Sequence, residues 1–386
     1  MFAFSGPRHK YGAAAAAAAA ATLLAMAGSA AAREHAHDLG QLGSGRAVFV
    51  QTDNAGGNAI AVYDRNPGGT LTAAGTYATG GNGGQLAGSV VDHLASQDSL
   101  VYDAQAGALF AVNAGSDTVS VFGVDGDRLH LRQVAASGGS FPASIAVHGD
   151  LVYVLNSAGA GQIQGFRLAG GLLHPIAGSG RSLGLDPSAT PQFVNTGGDI
   201  AFSPDGGQLL ITTKANTNAI DVFAIDPSGR PSAAPVVNSE PGAVPFALAF
   251  QGADQVDVGE AGTDAVASFR LNGDGTLTPL STVGTGQAAT CWLVADGPAL
   301  FAGNAGSGSE SSVLSSSSGA LSVVATTSTD PGTVDAAVSP RGRYLYVQTG
   351  ANGIVDEFSV GSGGSLTALG SVTVPNAAGG EGIATS

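Results

Sequence analysis

The stretch VPFALAFQGADQVDVGEAGTDAVASFRLNGDGTLTPLSTV, residues 244–283, contains four short segments separated by turns. Residues 247–250 are wholly apolar, as expected for a strand covered on both faces. Residues 266–270 alternate apolar and polar side chains, the pattern of a half-buried strand. The Asn272-Gly273-Asp274-Gly275 sequence is a strong hairpin signal before Leu277. The stretch therefore predicts one four-stranded antiparallel sheet.

The same arrangement recurs along the chain, and a turn followed by a Gly-x-Leu-like triplet marks each copy. Most copies lie roughly 45 residues apart, a period typical of the blades of a β-propeller. The triplets are Gly69-Thr70-Leu71, Asp127-Arg128-Leu129, Gly171-Leu172-Leu173, Gly229-Arg230-Pro231, Gly275-Thr276-Leu277, Gly319-Ala320-Leu321 and Gly364-Ser365-Leu366. The pattern predicts an all-β fold, a seven-bladed β-propeller of four-stranded antiparallel blades.

The two ends of the repeat region are complementary. Residues 47–50 match a second strand with no inner strand before them, whereas residues 380–385 match an inner strand with nothing after them. We expect the C-terminal strand to pair into the first blade, which removes the free sheet edges. A single domain over residues 46–386 follows. The alternative is an open stack of sheets with unpaired terminal edges.

The first residues have the pattern of an export signal. Arg8 and Lys10 precede an apolar, alanine-rich run at 13–26, and small residues at 29–32 supply a cleavage site. We predict a signal peptide at 1–32, a flexible leader at 33–45 and a secreted or periplasmic protein. An alanine-rich helix without targeting function is the alternative. We expect no membrane insertion, because no later apolar run approaches about 18 residues.

Composition limits the classes of partner. The formal net charge of −15 disfavours nucleic acids and anionic membrane surfaces. Cys291 is the sole cysteine, so no intramolecular disulfide can form. We expect a monomer without cofactor or metal, since no zinc-type, phosphate-loop or nucleophile-elbow motif is present. No sustained helical periodicity is visible after residue 32.

Two long connections between blades, at 78–95 and 178–198, are expected on one face of the ring. On that face, the position after each second strand mostly carries an amide that can cap a turn. Lys214 and Glu260 replace the amide in neighbouring blades, either as a structural ion pair or as a site with altered pKa values. The residues at these positions are Asn113, Asn156, Lys214, Glu260, Asn304 and Gln348.

Asp199 and Asp335 stand at the entrance of inner strands on the same face, where they can line the mouth or cap backbone amides. Cys291 and Trp292 lie at the same level, and we interpret them as a buried core pair. Among the histidines, only His93, in the first long connection, is expected to reach the mouth. The eight candidate site residues are thus Lys214 and Glu260 as catalytic groups, with Asn113, Asn156, Asp199, Asn304, Asp335 and Gln348 as binding groups.

The motifs Ser-Pro-Asp-Gly at 203–206 and Asn-Ala-Gly-Ser-Asp-Thr-Val-Ser-Val-Phe at 113–122 resemble the lactonase family of seven-bladed propellers. That family includes 6-phosphogluconolactonase-like and carboxymuconate-cyclase-like proteins. Residues 213–216 and 289–292 resemble an exported branch of it. The resemblance implies a Pro-Arg-His sequence before the fifth inner strand, where this chain has Pro245-Phe246-Ala247. It also implies a glutamate after the second strand of that blade, which is retained as Glu260.

Two functions remain open at this point. The first is hydrolysis of a small sugar-derived or anionic lactone, with Glu260 as general base and Lys214 stabilising negative charge. The second is a non-catalytic extracellular propeller that binds a small ligand, a protein or a glycan. Loss of the family arginine and histidine favours the second, and the retained glutamate favours the first.

Overall fold

The computed structural model describes residues 46–386, in which strands form seven antiparallel sheets. The predicted signal peptide and leader lie outside the described residues. Neighbouring sheets contact one another in succession around the ring, mostly through their innermost strands. The described part of the chain is therefore a seven-bladed β-propeller, as the repeat predicted.

The strands of each blade run from the innermost to the outermost position. Blade one is β29 (Ile383–Thr385), β1 (Ala47–Gln51), β2 (Ala59–Arg65) and β3 (Leu71–Ala78), and blade two is β4 (Leu100–Asp103), β5 (Ala108–Asn113), β6 (Thr118–Asp125) and β7 (Arg128–Ala136). Blade three is β8 (Pro142–His148), β9 (Leu151–Asn156), β10 (Gln162–Ala169) and β11 (Leu172–Pro175), with β12 (Arg181–Ser182) also paired to β10. Blade four is β13 (Ile200–Phe202), β14 (Gln208–Thr212), β15 (Ala219–Ala224) and β16 (Val236–Ser239). Blades five to seven are β17 (Pro245–Gln251), β18 (Gln255–Glu260), β19 (Ala265–Leu271), β20 (Leu277–Gly284); β21 (Thr290–Asp296), β22 (Ala299–Asn304), β23 (Ser309–Ser315), β24 (Leu321–Ser328); and β25 (Thr333–Val338), β26 (Tyr344–Thr349), β27 (Ile354–Val360), β28 (Leu366–Thr373).

The first blade is completed by the C-terminus. β29 pairs antiparallel with β1, placing Val50 opposite Ile383 and Val48 opposite Thr385. The Ile383 N–H also donates to the Asp335 carboxylate of the seventh blade at 3.1 Å. The closure predicted from the two chain ends is thereby confirmed, and both terminal edges are paired.

Apolar clusters lie between adjacent sheets and hold the ring together. Tyrosine hydroxyls add bonds between blades: Tyr153 donates to the Gly229 carbonyl and Tyr346 to the Gly69 carbonyl, both at 2.7 Å. Gly69 has a φ of 93°, and a Cβ there would lie 2.3 Å from the Tyr344 ring. The glycine of the repeated triplet is thus required both by the turn and by the neighbouring blade.

Short helical turns were not predicted. The described residues include 3₁₀ turns at Ala114–Ser116, Gln192–Val194 and Ser362–Gly364, and one α-helical turn at Lys214–Thr217. In the part of the chain described, no helix has the length and apolar character needed to cross a bilayer. The helical turn at Lys214 matters most, because the amine of that lysine bonds to both long connections.

Candidate functional site

The first long connection, residues 79–99, reaches across the ring to the sixth blade. The Gln97 side chain makes two bonds to the backbone of Leu293, at 2.8 and 2.9 Å. The indole N–H of Trp292 donates to the Ser96 carbonyl at 2.7 Å. This connection therefore covers the central opening on its face.

The second long connection, residues 183–199, meets the first. The Ala87 N–H donates to the Gln192 side chain at 2.8 Å, and the Gln97 N–H donates to the Gly198 carbonyl at 3.0 Å. The two connections and the fourth, fifth and sixth blades line a partly open cavity of about 550 Å³. A volume in this range can bury most of a drug-sized ligand.

The cavity walls are almost wholly apolar. Three aromatic rings belong to them, and the rings of Phe246 and Trp292 lie 4.9 Å apart between centroids. Ionisable side chains among the lining residues are Asp92, Lys214 and Cys291. The full lining is Val90, Val91, Asp92, Ala95, Phe193, Val194, Lys214, Ala215, Val244, Phe246, Ala261, Ala289, Cys291, Trp292, Ala305 and Gly306.

Lys214 is a buried cation, with only 1% of its surface exposed. Its Nζ donates to the carbonyl oxygens of Ala95 at 2.6 Å and Phe193 at 2.7 Å, so it joins both long connections. It also lies 5.3 Å from the centroid of the Phe246 ring, within cation–π range. Burial lowers the pKa of the Lys214 amine, and the charge of Asp92 opposes this shift.

The backbone of Lys214 is left-handed, with a φ of 46°. For a residue other than glycine this conformation costs about 1 kcal/mol or more. Asn218, which ends the same helical turn, is also left-handed. The strained turn is what carries the lysine from the end of β14 to the cavity.

Asp92 is the carboxyl group that acts electrostatically on Lys214. Its Oδ1 accepts the N–H groups of Leu94 and Ala95 at 2.8 Å, and its Oδ2 accepts that of Ser96 at 3.0 Å. Burial nevertheless raises the pKa of Asp92 to about 6, against these hydrogen bonds and the lysine charge. The ion pairs found within 4.0 Å in the described part of the chain include Arg167–Asp150 and Arg270–Asp254 but not Asp92–Lys214.

Cys291 and Trp292 are both buried, as expected of a core pair. They also line the cavity, which the sequence interpretation missed. Burial raises the pKa of the Cys291 thiol to about 12. The thiol is therefore a poor nucleophile at neutral pH.

Glu260 ends β18 next to the cavity residue Ala261, but it is not itself among the lining residues. Its carboxylate accepts the Thr263 hydroxyl at 2.9 Å. Burial raises its pKa, and the Glu240 charge adds to that rise. The structure brings Lys214 together with Asp92, and it places Glu260 with Thr263 and Glu240.

The remaining expected binding residues are buried and lie outside the cavity lining. Asp199 and Asp335 cap inner strands: Asp199 accepts the N–H groups of Ile200 and Leu248, and Asp335 those of Ala336 and Ile383. The amides bond within the turns or to the next blade; Asn113 donates to Ser120, Asn156 to the Ser137 carbonyl, Asn304 to Ser311, and Gln348 to the Gln51 carbonyl. Their observed contacts are structural.

Further buried carboxyl groups lie beside the inner strands. Glu381 and Asp53 are joined by a hydrogen bond from the Glu381 N–H to the Asp53 carboxylate at 2.8 Å. Burial raises the pKa of Asp53 to about 8 and that of Asp98 to about 7. Burial and mutual repulsion raise those of Asp199, Asp335 and Glu381 well above their usual range. In the described residues, no cluster of histidine, cysteine and carboxylate side chains has the arrangement of a metal site.

Comparison with solved structures finds the same seven-bladed fold in 6-phosphogluconolactonase-like proteins. A periplasmic gluconolactonase from Pseudomonas aeruginosa is 20% identical, with a TM-score of 0.71 over 89% of this chain and 99% of that one. A Bacteroides uniformis protein, provisionally assigned as a 6-phosphogluconolactonase, is 18% identical with the same TM-score and coverage. A protein of unknown function from Desulfotomaculum acetoxidans is 16% identical, with a TM-score of 0.66 and again 89% and 99% coverage.

No protein-family model matches the chain, and a comparison with curated proteins finds no match either. The resemblance predicted from the 203–206 and 113–122 motifs is thus confirmed as a likeness of fold. Lactonase-like propellers are this chain's structural neighbours.

Proposed function

We propose that this protein binds and hydrolyses a small cyclic ester in the cavity beneath its two long connections. The observation that carries the proposal is a buried ammonium group, Lys214, and a buried carboxyl group, Asp92, in the wall of one apolar cavity. The lactonase-like folds of the structural neighbours support the same class of reaction.

Lys214 would polarise the ester carbonyl. An ammonium group has three N–H donors, and the carbonyls of Ala95 and Phe193 accept two of them. The third is left for the carbonyl oxygen of a ligand, where negative charge develops as water attacks. In a water-poor site this interaction is stronger than in solution.

Asp92 would act as the general base. A base is most effective when its pKa lies near the working pH, and burial raises the pKa of Asp92 toward that range. The attacking water would give one proton to Asp92 while its oxygen forms the new bond to the carbonyl carbon. The ring C–O bond would then break as Asp92 returns that proton to the leaving alkoxide oxygen. The product is an open-chain hydroxy acid.

Glu260 is the second candidate for the base. It neighbours the lining residue Ala261 and its pKa is also raised by burial, but its carboxylate bonds to Thr263. To act on a ligand in the cavity, Glu260 would have to release the Thr263 hydroxyl and change its side-chain rotamer.

Lactone hydrolysis by the wild type and by Asp92→Asn, Lys214→Met and Glu260→Gln tests the proposal. We expect Asp92→Asn and Lys214→Met to lower kcat/KM about 100-fold or more and Glu260→Gln to change it less than threefold. Asp254→Asn, in an exposed ion pair, is the matched control. Circular dichroism checks that each variant is folded. Wild-type turnover no faster than buffer, or full activity in Asp92→Asn, would refute the mechanism; loss confined to Glu260→Gln would assign the base to Glu260.

The second candidate function is ligand binding without catalysis. Three backbone N–H groups already bond to the Asp92 carboxylate, which is the usual environment of a structural turn. Saturable binding in the cavity without turnover of any lactone would favour this function. We also propose export, which is supported by the N-terminal pattern at 1–32 and by the periplasmic gluconolactonase among the neighbours.

A further inference from the structure

We infer that the ligand of this cavity is a neutral cyclic carbonyl compound with an apolar body, an alkyl chain or an aromatic ring, and not a polyhydroxylated or phosphorylated sugar lactone. The inference concerns the same site as the proposed function and deepens it by naming the substrate class. It replaces the sugar-derived or anionic lactone expected from the sequence.

The side chains that line the cavity leave few hydrogen-bond partners for a ligand. Among the lining side chains, Lys214 has one donor left, and the Trp292 indole N–H is already bonded to the Ser96 carbonyl. Asp92 offers acceptor lone pairs, and the Cys291 thiol is only a weak partner. A sugar lactone would bury several hydroxyl groups against alanine, valine and aromatic walls, and each unpaired hydroxyl weakens binding. A single carbonyl group matches the single remaining strong donor.

The charges of the lining residues disfavour an anionic ligand. Lys214 is the sole cation among the lining residues, and the Asp92 carboxyl group already acts on it. The chain as a whole carries a formal charge of −15. A phosphate dianion would therefore enter a site with one cation, a carboxyl neighbour and no second basic side chain in its lining. A neutral carbonyl meets no such repulsion.

The aromatic and aliphatic side chains of the cavity walls favour a ligand with an apolar body. Phe193, Phe246 and Trp292 present aromatic surface to the cavity, and an alkyl or aromatic body would contact all three. Val90, in the cavity lining, is 80% exposed, although most large apolar side chains in residues 46–386 are buried. An apolar ligand would cover Val90 on entry, which a sugar would not do as favourably.

Fluorescence of Trp292, the one tryptophan in the chain, reports binding directly. The probes are 2-alkylcyclohexanones of increasing chain length, which carry one carbonyl and cannot be hydrolysed, and glucono-δ-lactam as the polyhydroxylated counterpart. We expect affinity to rise about fourfold per added methylene until the cavity is filled. Glucono-δ-lactam should produce no shift at a hundredfold higher concentration. Affinity that does not depend on chain length, or tighter binding of glucono-δ-lactam, would overturn the inference.

A pair of alanine variants places the binding in the cavity. Ala261→Phe fills the cavity from its wall, whereas Ala253→Phe makes the same change in an exposed turn at the other end of the same blade. We expect the first to weaken the longest ketone at least tenfold and the second to leave it unchanged. Equal affinities in both variants would show that the ketones bind elsewhere. Ketone binding without hydrolysis of the matching alkyl lactones would refute the proposed reaction and leave this inference standing.

Discussion

At the residue scale, the site depends on one strained position. Lys214 combines a left-handed backbone with a charge buried beside the Phe246 ring and bonded to two carbonyl groups. Strain of this kind persists only where the surrounding structure imposes it, and it is common at functional sites. A lysine that served solubility alone would lie outside, in water. The position of the ammonium group is thus a consequence of the fold around it.

The protonation of Lys214 can be measured without altering the site. The sequence has two lysines, Lys10 and Lys214, so ¹³C-lysine labelling gives a nearly unique signal. We expect Lys214 to titrate near 7, because burial lowers its pKa, in contrast to an exposed lysine near 10.4. Asp92→Asn should lower the midpoint further, since it removes the favourable charge. A midpoint above 10 in the folded protein would contradict the burial of the charged amine.

At the element scale, the closing strand could be predicted from the sequence, whereas the path of the first long connection could not. The strand was predictable because its pattern and the missing inner strand of the first blade are both local signals. The meeting of Asp92 with Lys214 was not, since it depends on residues 79–99 crossing the ring opening to reach Trp292 and Leu293. Nothing in the spacing of these residues indicates that crossing.

For Glu260, the sequence predicts where the residue lies along the chain but not which way its side chain points. The sequence placed it in the turn after the second strand, and the structure makes it the last residue of β18, because strand and turn signals fix positions along the chain to within a residue or two. The direction of its side chain depends on the local turn and Thr263. Likewise, Phe246 and Cys291 carry no signal that separates a core residue from a cavity residue, because both environments favour the same apolar side chains.

The closure by β29 is testable with one substitution. Ile383 is 4% exposed and packs in the cluster that contains Val48 and Val50. We expect Ile383→Ala to lower the free energy of unfolding by about 2–4 kcal/mol, from lost burial and the cavity left behind. Val237→Ala, at a position 61% exposed in β16, should change it by less than about 0.5 kcal/mol. Equal stability of the two variants in urea denaturation would show that β29 does not hold the ring closed.

At the scale of the whole molecule, the carboxyl groups beside the inner strands should make stability depend on pH. The pKa values of Asp53 and Asp98 are raised by burial to about 8 and about 7, and those of Asp199, Asp335 and Glu381 are raised further. A raised pKa means that the folded state binds more protons than the unfolded state. Its stabilisation is complete below about pH 4 and is lost as the pH rises through the folded value.

We therefore expect the free energy of unfolding to be larger at pH 5 than at pH 7, by at least about 2 kcal/mol. The lowered pKa of Lys214 makes stability rise with pH instead, but this effect develops mainly above pH 7. Asp53→Asn should reduce the difference, and Asp254→Asn, on the exposed ion pair, should not. Urea denaturation at both pH values is the measurement, and greater stability at pH 7 would contradict the burial of these groups.

Conversion of the Cys291 thiol to a methyl disulfide tests most directly that the cavity beneath the two long connections is the ligand site. The chain has one cysteine, and it lies in the cavity wall, so its labelling by a small neutral reagent such as methyl methanethiosulfonate at pH 9 reports access to that space. We expect slow labelling, since burial raises the pKa of the thiol to about 12, and at least a fivefold further slowing by a saturating alkyl lactone or 2-alkylcyclohexanone. An unchanged labelling rate, under conditions where Trp292 fluorescence or turnover shows the ligand to be bound, would contradict it.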